Sequence, residues 1–198
     1  MGTMTVIEPP ALQRDDVVVR GGGFTIEDRD ALPADGRRHE LLDGVLILSP
    51  APRTRHQDVV VNLAVLLKEA LPPELKVVVA PFDVRRGADT AIQPDLVVAR
   101  RGDVSPEGFT TRPLLAVEVA SPSTRWIDLG RKRDLLAEMR CPHYWTVEPH
   151  GDDDLPEVTL WHLVDGAFVE RAVVRGRESL EVATPVVLTL TPADLLDE

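Results

Sequence analysis

The sequence has little of what several protein classes require. Its 198 residues include a single cysteine, Cys141, so there is no internal disulfide and no cysteine-based metal site. No apolar run approaches the roughly 18 residues that a membrane-spanning helix needs. The first residues, MGTMTVIEPPALQRDD, lack the basic start and apolar centre of a secretion signal. We therefore expect a cytoplasmic protein without a membrane segment.

Basic residues are also in the minority. The chain has 22 Lys and Arg against 33 Asp and Glu, which gives a net charge of -11. That charge argues against a nucleic-acid partner, because phosphate binding relies on Lys and Arg. The distribution changes this interpretation, since residues 50–140 carry 14 basic and 12 acidic side chains. The acidity lies in the flanks, where an effect on solubility alone is the simpler explanation.

What the chain does contain is a succession of helix and strand patterns. A helix is predicted over residues 54–71, with apolar positions at helical spacing and with Thr54 and Gln57 as a capping box. A second helix is predicted over about 126–140. Strands are predicted at 76–85, 92–100, 113–120, 143–148 and 157–163. This order predicts one α/β domain with a mixed central sheet.

Turn residues and a glycine run add local detail. Asp43-Gly44 and Asp165-Gly166 each separate two apolar runs and predict hairpins. Residues 1–22 show no periodicity and lead into three glycines, so we expect a poorly ordered arm there.

Two acidic residues occupy unusual places. In AIQPDLVVARR, residues 91–101, Pro94 and Asp95 stand directly before an apolar strand, and LLAVEVASPST places Glu118 inside the next one. Consecutive strands usually pair, at a spacing of about 4.8 Å, so the two carboxylates are expected side by side. Such a pair is stabilised by a shared proton or by a cation. With no His or Cys cluster nearby, oxygen ligands favour Mg²⁺ or Mn²⁺.

Strand alternation predicts the surroundings of Glu118. Ala116 and Ala120 share its face of the strand and leave space above the sheet. Lys132, on the helix that follows, is long enough to fill that space. Asp128 lies four residues before Lys132, so an ordinary ion pair on the helix surface is the alternative.

These residues resemble the PD-(D/E)XK nuclease superfamily, in which Asp, Glu and Lys follow an α-β-β-β-α-β core. The wider sequence is similar to the Uma-two type of restriction-endonuclease-like bacterial proteins over roughly residues 24–170. Six segments carry this resemblance: HELLDGVLILSPAP, RHQDVVVNLAVLL, PFDVR, QPDLVV, LLAVEVASPSTRWIDLGRKRDLLAE and CPHYWTVEP.

The resemblance implies a restriction-endonuclease-like fold, with an N-terminal hairpin and added C-terminal strands. A flexible arm, residues 1–23, would precede a single domain over 24–198. The core would occupy about 38–150 and a β extension about 155–198.

The resemblance also implies a metal-dependent endonuclease that acts on DNA. Asp95, Glu118 and the backbone carbonyl of Val119 would hold Mg²⁺ or Mn²⁺. Glu40, which opens the first hairpin, would complete the metal shell. A solvated charge on an edge strand is the alternative for Glu40.

The expected lysine is displaced. The superfamily commonly has Lys two residues after the glutamate, where this chain has Ala120. The resemblance places the lysine on the next helix, at Lys132. There it would orient or deprotonate a water molecule, or stabilise charge that develops on the phosphoryl group.

Several other polar residues have two interpretations. His56, near the start of the first long helix, either packs on the sheet or lines the cleft and contacts phosphate or a metal-bound water. Asp83 is expected to pair with Arg85 on the same strand face rather than to join the cleft. Phosphate groups would be held by Arg53, Arg55 and Arg125.

Two other functions remain open at this point. A catalytically silent nuclease fold that binds a protein would suit the net charge of -11. A phosphoesterase acting on RNA or nucleotides would suit the same carboxylates. A homodimer is expected by analogy only.

Overall fold

The computed structural model describes residues 16–18, 20–120, 128–151 and 154–196. The strands in these ranges are β1 Asp16–Val18, β2 Arg38–Leu42, β3 Val45–Ser49, β4 Leu75–Val79, β5 Asp83–Arg86, β6 Thr90–Ile92, β7 Leu96–Arg100, β8 Phe109–Thr110, β9 Leu115–Val119, β10 His143–Glu148, β11 Glu157–Val164, β12 Ala167–Arg175, β13 Leu180–Val182 and β14 Leu188–Leu190. The α-helices are α1 Ile26–Asp30, α2 Thr54–Ala70 and α3 Arg133–Glu138. No helix in the described ranges is long and apolar enough to cross a membrane.

A six-stranded sheet, here called the central sheet, has the order β12-β11-β10-β9-β7-β4. Strands β9 and β10 are parallel, and their other neighbours are antiparallel, so the sheet is mixed as predicted. Helix α2 packs on one face through Val59, Leu63 and Leu67, which are fully buried. The stripe of apolar residues at helical spacing therefore faces the core as predicted.

A second six-stranded sheet, the N-terminal sheet, has the order β1-β3-β2-β6-β5-β8. It covers the opposite face of the central sheet together with α3, and Leu135 and Leu136 of α3 are fully buried. The predicted hairpin joins β2 to β3 at Asp43 and Gly44, whose φ angles are 48° and 77°. The fold is thus layered, with the central sheet in the middle.

Strand β9 shows the predicted alternation. Val117 and Val119 pack toward α2, whereas Ala116 packs in the cluster that contains α3. This places Glu118 on the α3 side of the sheet, where Lys132 approaches it.

The predicted strand at 76–85 is wrong as a single element. It divides at Ala80-Pro81 into β4, in the central sheet, and β5, in the N-terminal sheet. Proline has no N–H to donate to a ladder, so the pairing of β4 ends there.

The helix boundaries also differ from the prediction. Arg53 is the N-cap of α2 and Thr54 is already helical, so the Thr54–Gln57 capping box does not form. The second predicted helix is shorter than 126–140. A π-helical turn, Asp128–Lys132, with non-helical angles at Gly130, leads into α3, and residues 126 and 127 lie outside the described ranges.

Part of the predicted arm has regular structure. Asp16–Val18 forms β1, which pairs antiparallel with β3. The two valines of β1 favour a strand. Without β1, the backbone groups at the outer edge of β3 would be unpaired. The rest of the arm before residue 16 lies outside the described ranges.

Candidate active site

The two carboxylates meet where β7 and β9 pair. Leu96 is opposite Val117 in this antiparallel ladder, so Asp95 and Glu118 lie at adjoining positions on neighbouring strands. The backbone N–H of Val119 donates to Asp95 Oδ2 at 2.8 Å, which fixes the Asp95 side chain against β9. Both residues are buried, with 3% and 1% of their surface exposed.

Lys132 connects Glu118 to a third carboxylate. Its Nζ lies 3.1 Å from Glu118 Oε1 and 2.9 Å from Glu40 Oε2. Lys132 is 1% exposed, so the alternative of an ion pair on the helix surface is wrong. Glu40 is equally buried, at 1%, and is not a solvated edge charge. Such buried charges are stable only when they are paired, as they are here.

Arg38 is a member of this cluster that the sequence analysis missed. Its guanidinium donates to Asp95 Oδ1 at 2.7 Å, and its Nε lies 3.8 Å from Glu40 Oε2. Burial alone would lower the pKa of Arg38, but the negative charges of Glu40, Asp95 and Glu118 raise it above its ordinary value. The sequence does contain a pattern that could have identified Arg38, because Arg38 and Glu40 are two residues apart on β2 and share a face.

His56 completes the surroundings of Asp95. Its Nε2 lies 3.2 Å from Asp95 Oδ2, and its side chain is 16% exposed. Burial would raise the pKa of Asp95, but the hydrogen bond from His56, the charge of Arg38 and the Val119 N–H lower it well below the usual range. Asp95 is therefore held as a carboxylate.

Gln93 links this cluster to a second group of ion pairs, which surrounds Asp83. Its backbone N–H donates to Glu40 Oε1 at 2.6 Å, and its side chain donates to Asp83 Oδ1 at 2.9 Å. Asp83 pairs with Arg85, as predicted, at 2.7 Å, and also with the buried Arg29. Asp83 is thus linked to the cluster through Gln93, which contacts Glu40.

A cleft of about 820 Å³ opens above the cluster. Asp95, His56 and Arg38 reach its surface, whereas Glu40, Glu118 and Lys132 lie beneath. Five arginines line the part of the cleft that the described residues form: Arg29, Arg37, Arg38, Arg53 and Arg55. The carboxylates in this lining are Asp30 and Asp95.

Two of the three predicted phosphate ligands therefore have a suitable position. Arg53 and Arg55 lie at the start of α2 and line the cleft. Arg125 lies outside the described ranges. Arg37 pairs with Asp35, Arg38 with Asp95 and Arg55 with Asp154, so a phosphate would bind these arginines in exchange for a carboxylate partner.

The chemistry of the donor set suits a hard divalent cation. Glu40, Asp95, Glu118 and the Val119 carbonyl offer only oxygen ligands, which Mg²⁺ and Mn²⁺ prefer. The present partners of these carboxylates include Lys132 and Arg38. Among the described residues, no three His, Cys, Asp or Glu side chains converge as a ready-made metal site. An ion would therefore bind in place of a present partner.

Comparison with known proteins identifies the family. A family model described as "Uma2: Putative restriction endonuclease" matches residues 26–193. The chain belongs to the Uma2 family. This membership agrees with the resemblance seen in the sequence.

A solved structure shows the same fold as this Uma2 chain. It is described as a "putative nuclease belonging to DUF820" from Anabaena variabilis, with a TM-score of 0.68 and 17% identity. The match covers 87% of this chain and 97% of that one. The restriction-endonuclease-like fold is therefore confirmed. No curated protein matches the sequence.

Proposed function

We propose that this Uma2 protein is a divalent-metal-dependent endonuclease that hydrolyses phosphodiester bonds of DNA. The observation that carries the proposal is the position of Lys132 between Glu40 and Glu118, beside Asp95, under an arginine-lined cleft. A purely structural role gives little reason to bury three carboxylates and a lysine at one point, because their desolvation is costly. Buried ionisable groups such as Asp95, whose pKa is lowered by His56, Arg38 and the Val119 N–H, concentrate at active sites.

The cleft supports a polyanionic substrate. Arg53 and Arg55 lie at the start of α2, and Arg38 is the first residue of β2 and follows Arg37; all four line the cleft with Asp95. Guanidinium groups form paired hydrogen bonds with phosphate oxygens. A backbone that crosses the cleft would therefore place a phosphate next to Asp95 and His56.

Each residue of the cluster has a proposed task. Asp95, Glu118, Glu40 and the Val119 carbonyl would hold Mg²⁺ or Mn²⁺, which supplies Lewis acidity toward a phosphoryl oxygen and a water nucleophile at neutral pH. Lys132 neutralises and orients Glu40 and Glu118 from beneath. His56 orients Asp95 and, from the cleft wall, donates to a phosphate oxygen or exchanges a proton with the attacking water.

The test is cleavage of supercoiled plasmid, single-stranded DNA and RNA in Mg²⁺, in Mn²⁺ and in EDTA. The wild type is compared with Glu118→Ala, Lys132→Ala and the exposed control Lys68→Ala. We expect metal-dependent cleavage of DNA, lowered at least 100-fold in the two site variants and unchanged in the control, because loss of a stabilising charge at the reacting centre costs about that much.

Three outcomes would contradict the proposal in different ways. Cleavage of RNA alone would keep the site but replace the substrate. Cleavage that persists in EDTA would exclude the metal. No cleavage of any polymer, together with no Mn²⁺-dependent rise in melting temperature, would favour the catalytically silent protein-binding module.

A further inference from the structure

The cluster contains two cations with different surroundings. Lys132 is 1% exposed, lies beneath the cleft and contacts Glu40 and Glu118. Arg38 has 23% of its side chain exposed, lines the cleft and contacts Asp95. Lys132 is therefore enclosed by the protein, whereas Arg38 reaches Asp95 from the solvent side.

The Arg38 guanidinium contacts two of the carboxylates that are proposed to hold a metal ion. It lies 2.7 Å from Asp95 Oδ1 and 3.8 Å from Glu40 Oε2, so one group spans two of the proposed ligands. A divalent ion on the same oxygens would repel a guanidinium at that distance and compete for the same lone pairs. Because the other Asp95 oxygen already accepts from Val119 and lies close to His56, the ion would have to displace Arg38.

A displaced Arg38 has an alternative position. Its side chain extends from β2 and lines the cleft, as do Arg37, Arg53 and Arg55. Turning away from Asp95 would point the guanidinium into the space that the proposed DNA backbone occupies. There it would find phosphate oxygens, which accept the same forked hydrogen bonds as a carboxylate.

We propose that Arg38 is a positioning residue that neutralises Asp95 while the metal is absent, and that it moves onto the DNA backbone when a divalent ion binds. This inference rests on the proposed function. It predicts that the ion and DNA bind cooperatively. The coupling is reciprocal, so DNA strengthens ion binding as much as the ion strengthens DNA binding. Without metal, Arg38 would stabilise the cluster by pairing with Asp95. DNA would bind tightly only to protein that already holds the ion.

The first measurement is Mn²⁺ affinity without DNA, by isothermal titration calorimetry. Arg38→Gln removes the competing charge, so we expect its Kd for Mn²⁺ to be at least tenfold lower than that of the wild type. Arg53→Gln is the matched control, because Arg53 lines the same cleft without an ion pair to the described carboxylates. Its Mn²⁺ affinity should equal the wild-type value.

The second measurement is binding of a DNA duplex in EDTA and in saturating Ca²⁺, which takes oxygen ligands. Arg38→Gln should weaken binding at least tenfold in Ca²⁺ but less than threefold in EDTA, where the wild-type Arg38 is held by Asp95. Arg53→Gln should weaken binding by the same factor in both buffers. Arg38→Lys keeps the positive charge, and therefore the fold, but lacks the forked donor. It should bind like the wild type in EDTA and at least threefold more weakly in Ca²⁺.

The outcomes separate this inference from the proposed function. Mn²⁺ binding of equal strength in the wild type and Arg38→Gln would overturn the role of Arg38 and leave the metal site intact. Equal loss of DNA affinity with and without Ca²⁺ would do the same. If neither protein binds Mn²⁺, the metal site itself is wrong, and the inference about Arg38 is overturned with it.

Discussion

Asp83 is a buried carboxylate outside the cluster itself. It is 5% exposed and accepts a forked pair of hydrogen bonds from Arg29, at 2.6 and 3.0 Å. Burial would raise the pKa of Asp83, but the bonds from Arg29, Gln93 and Arg85 lower it. The residue therefore stays ionised only because its partners are in place.

Replacement of Asp83 by Asn should destabilise the protein strongly. The change leaves the buried Arg29 without its main counter-charge, and loss of one partner from such a pair costs about 3–5 kcal/mol. We expect a fall of about 3 kcal/mol in the free energy of unfolding, measured by urea denaturation. Asp35→Asn, which removes a more exposed partner of Arg37, is the control and should change little. Equal effects of the two changes would contradict this account of Asp83.

Individual site residues differed in how far the sequence could predict them. Asp95 and Glu118 could be paired because strand order and alternation are local properties, and Lys132 because it follows on the next helix. The contact between Arg29 and Asp83 could not be predicted, since 54 residues separate them. Arg38 could have been found from its spacing to Glu40, but only once Glu40 was known to face inward.

At the scale of elements, the β2–β3 hairpin depends on Gly44. Its φ angle is 77°, a left-handed conformation that disfavours side chains, and a Cβ there would lie 3.2 Å from the Cα of Gly23. Gly44→Ala should therefore lower the free energy of unfolding by about 2 kcal/mol. The hairpin carries Glu40, one of the proposed metal ligands, so we also expect weaker Mn²⁺ binding.

Gly102→Ala is the matched control for this change. Gly102 has no heavy atom within 4 Å of the position of a Cβ and no left-handed φ angle. Its replacement should leave the urea midpoint within experimental error of the wild type or raise it slightly. A loss as large as that of Gly44→Ala would show that the hairpin geometry is not the cause.

The sequence predicted elements better than it predicted their sheets. The hairpin turn residues and the strand β10 were predicted at their observed places, because turn chemistry and periodicity act locally. The run 76–85 predicts a single strand, whereas the structure has two strands there, β4 and β5, which belong to different sheets. Sheet membership depends on partners far away in the chain, and an apolar run alone carries no information about them.

At the scale of the whole molecule, the candidate site is built where the two sheets meet. Arg38 and Glu40 lie on β2 of the N-terminal sheet. Asp95 directly precedes β7 of the central sheet, and Glu118 lies on its neighbour β9. Lys132 comes from the π-helical turn before α3. No single element holds the cluster, so its geometry depends on how the layers pack. This is why the fold had to be known before Arg38 could be recognised.

The chain as a whole is acidic, but arginines outnumber carboxylates in the cleft lining. The chain carries a net charge of -11, yet the described lining of the cleft has five arginines against two carboxylates. Four of these arginines, Arg29, Arg37, Arg38 and Arg55, pair with carboxylates. A DNA backbone would therefore bind this cleft by replacing carboxylate partners with phosphate oxygens, which accept the same hydrogen bonds from a guanidinium.

The most direct test of the central claim uses Asp95 and Asp30, the two acids in the described part of the cleft lining. Plasmid nicking in Mg²⁺ is measured for the wild type, Asp95→Asn and Asp30→Asn, with circular dichroism to verify folding. Asp95 belongs to the buried cluster, whereas Asp30 has a half-exposed side chain paired with Arg29. We predict at least 100-fold slower nicking for Asp95→Asn and a wild-type rate for Asp30→Asn. Wild-type nicking by a folded Asp95→Asn protein would show that the cluster is not the site of hydrolysis.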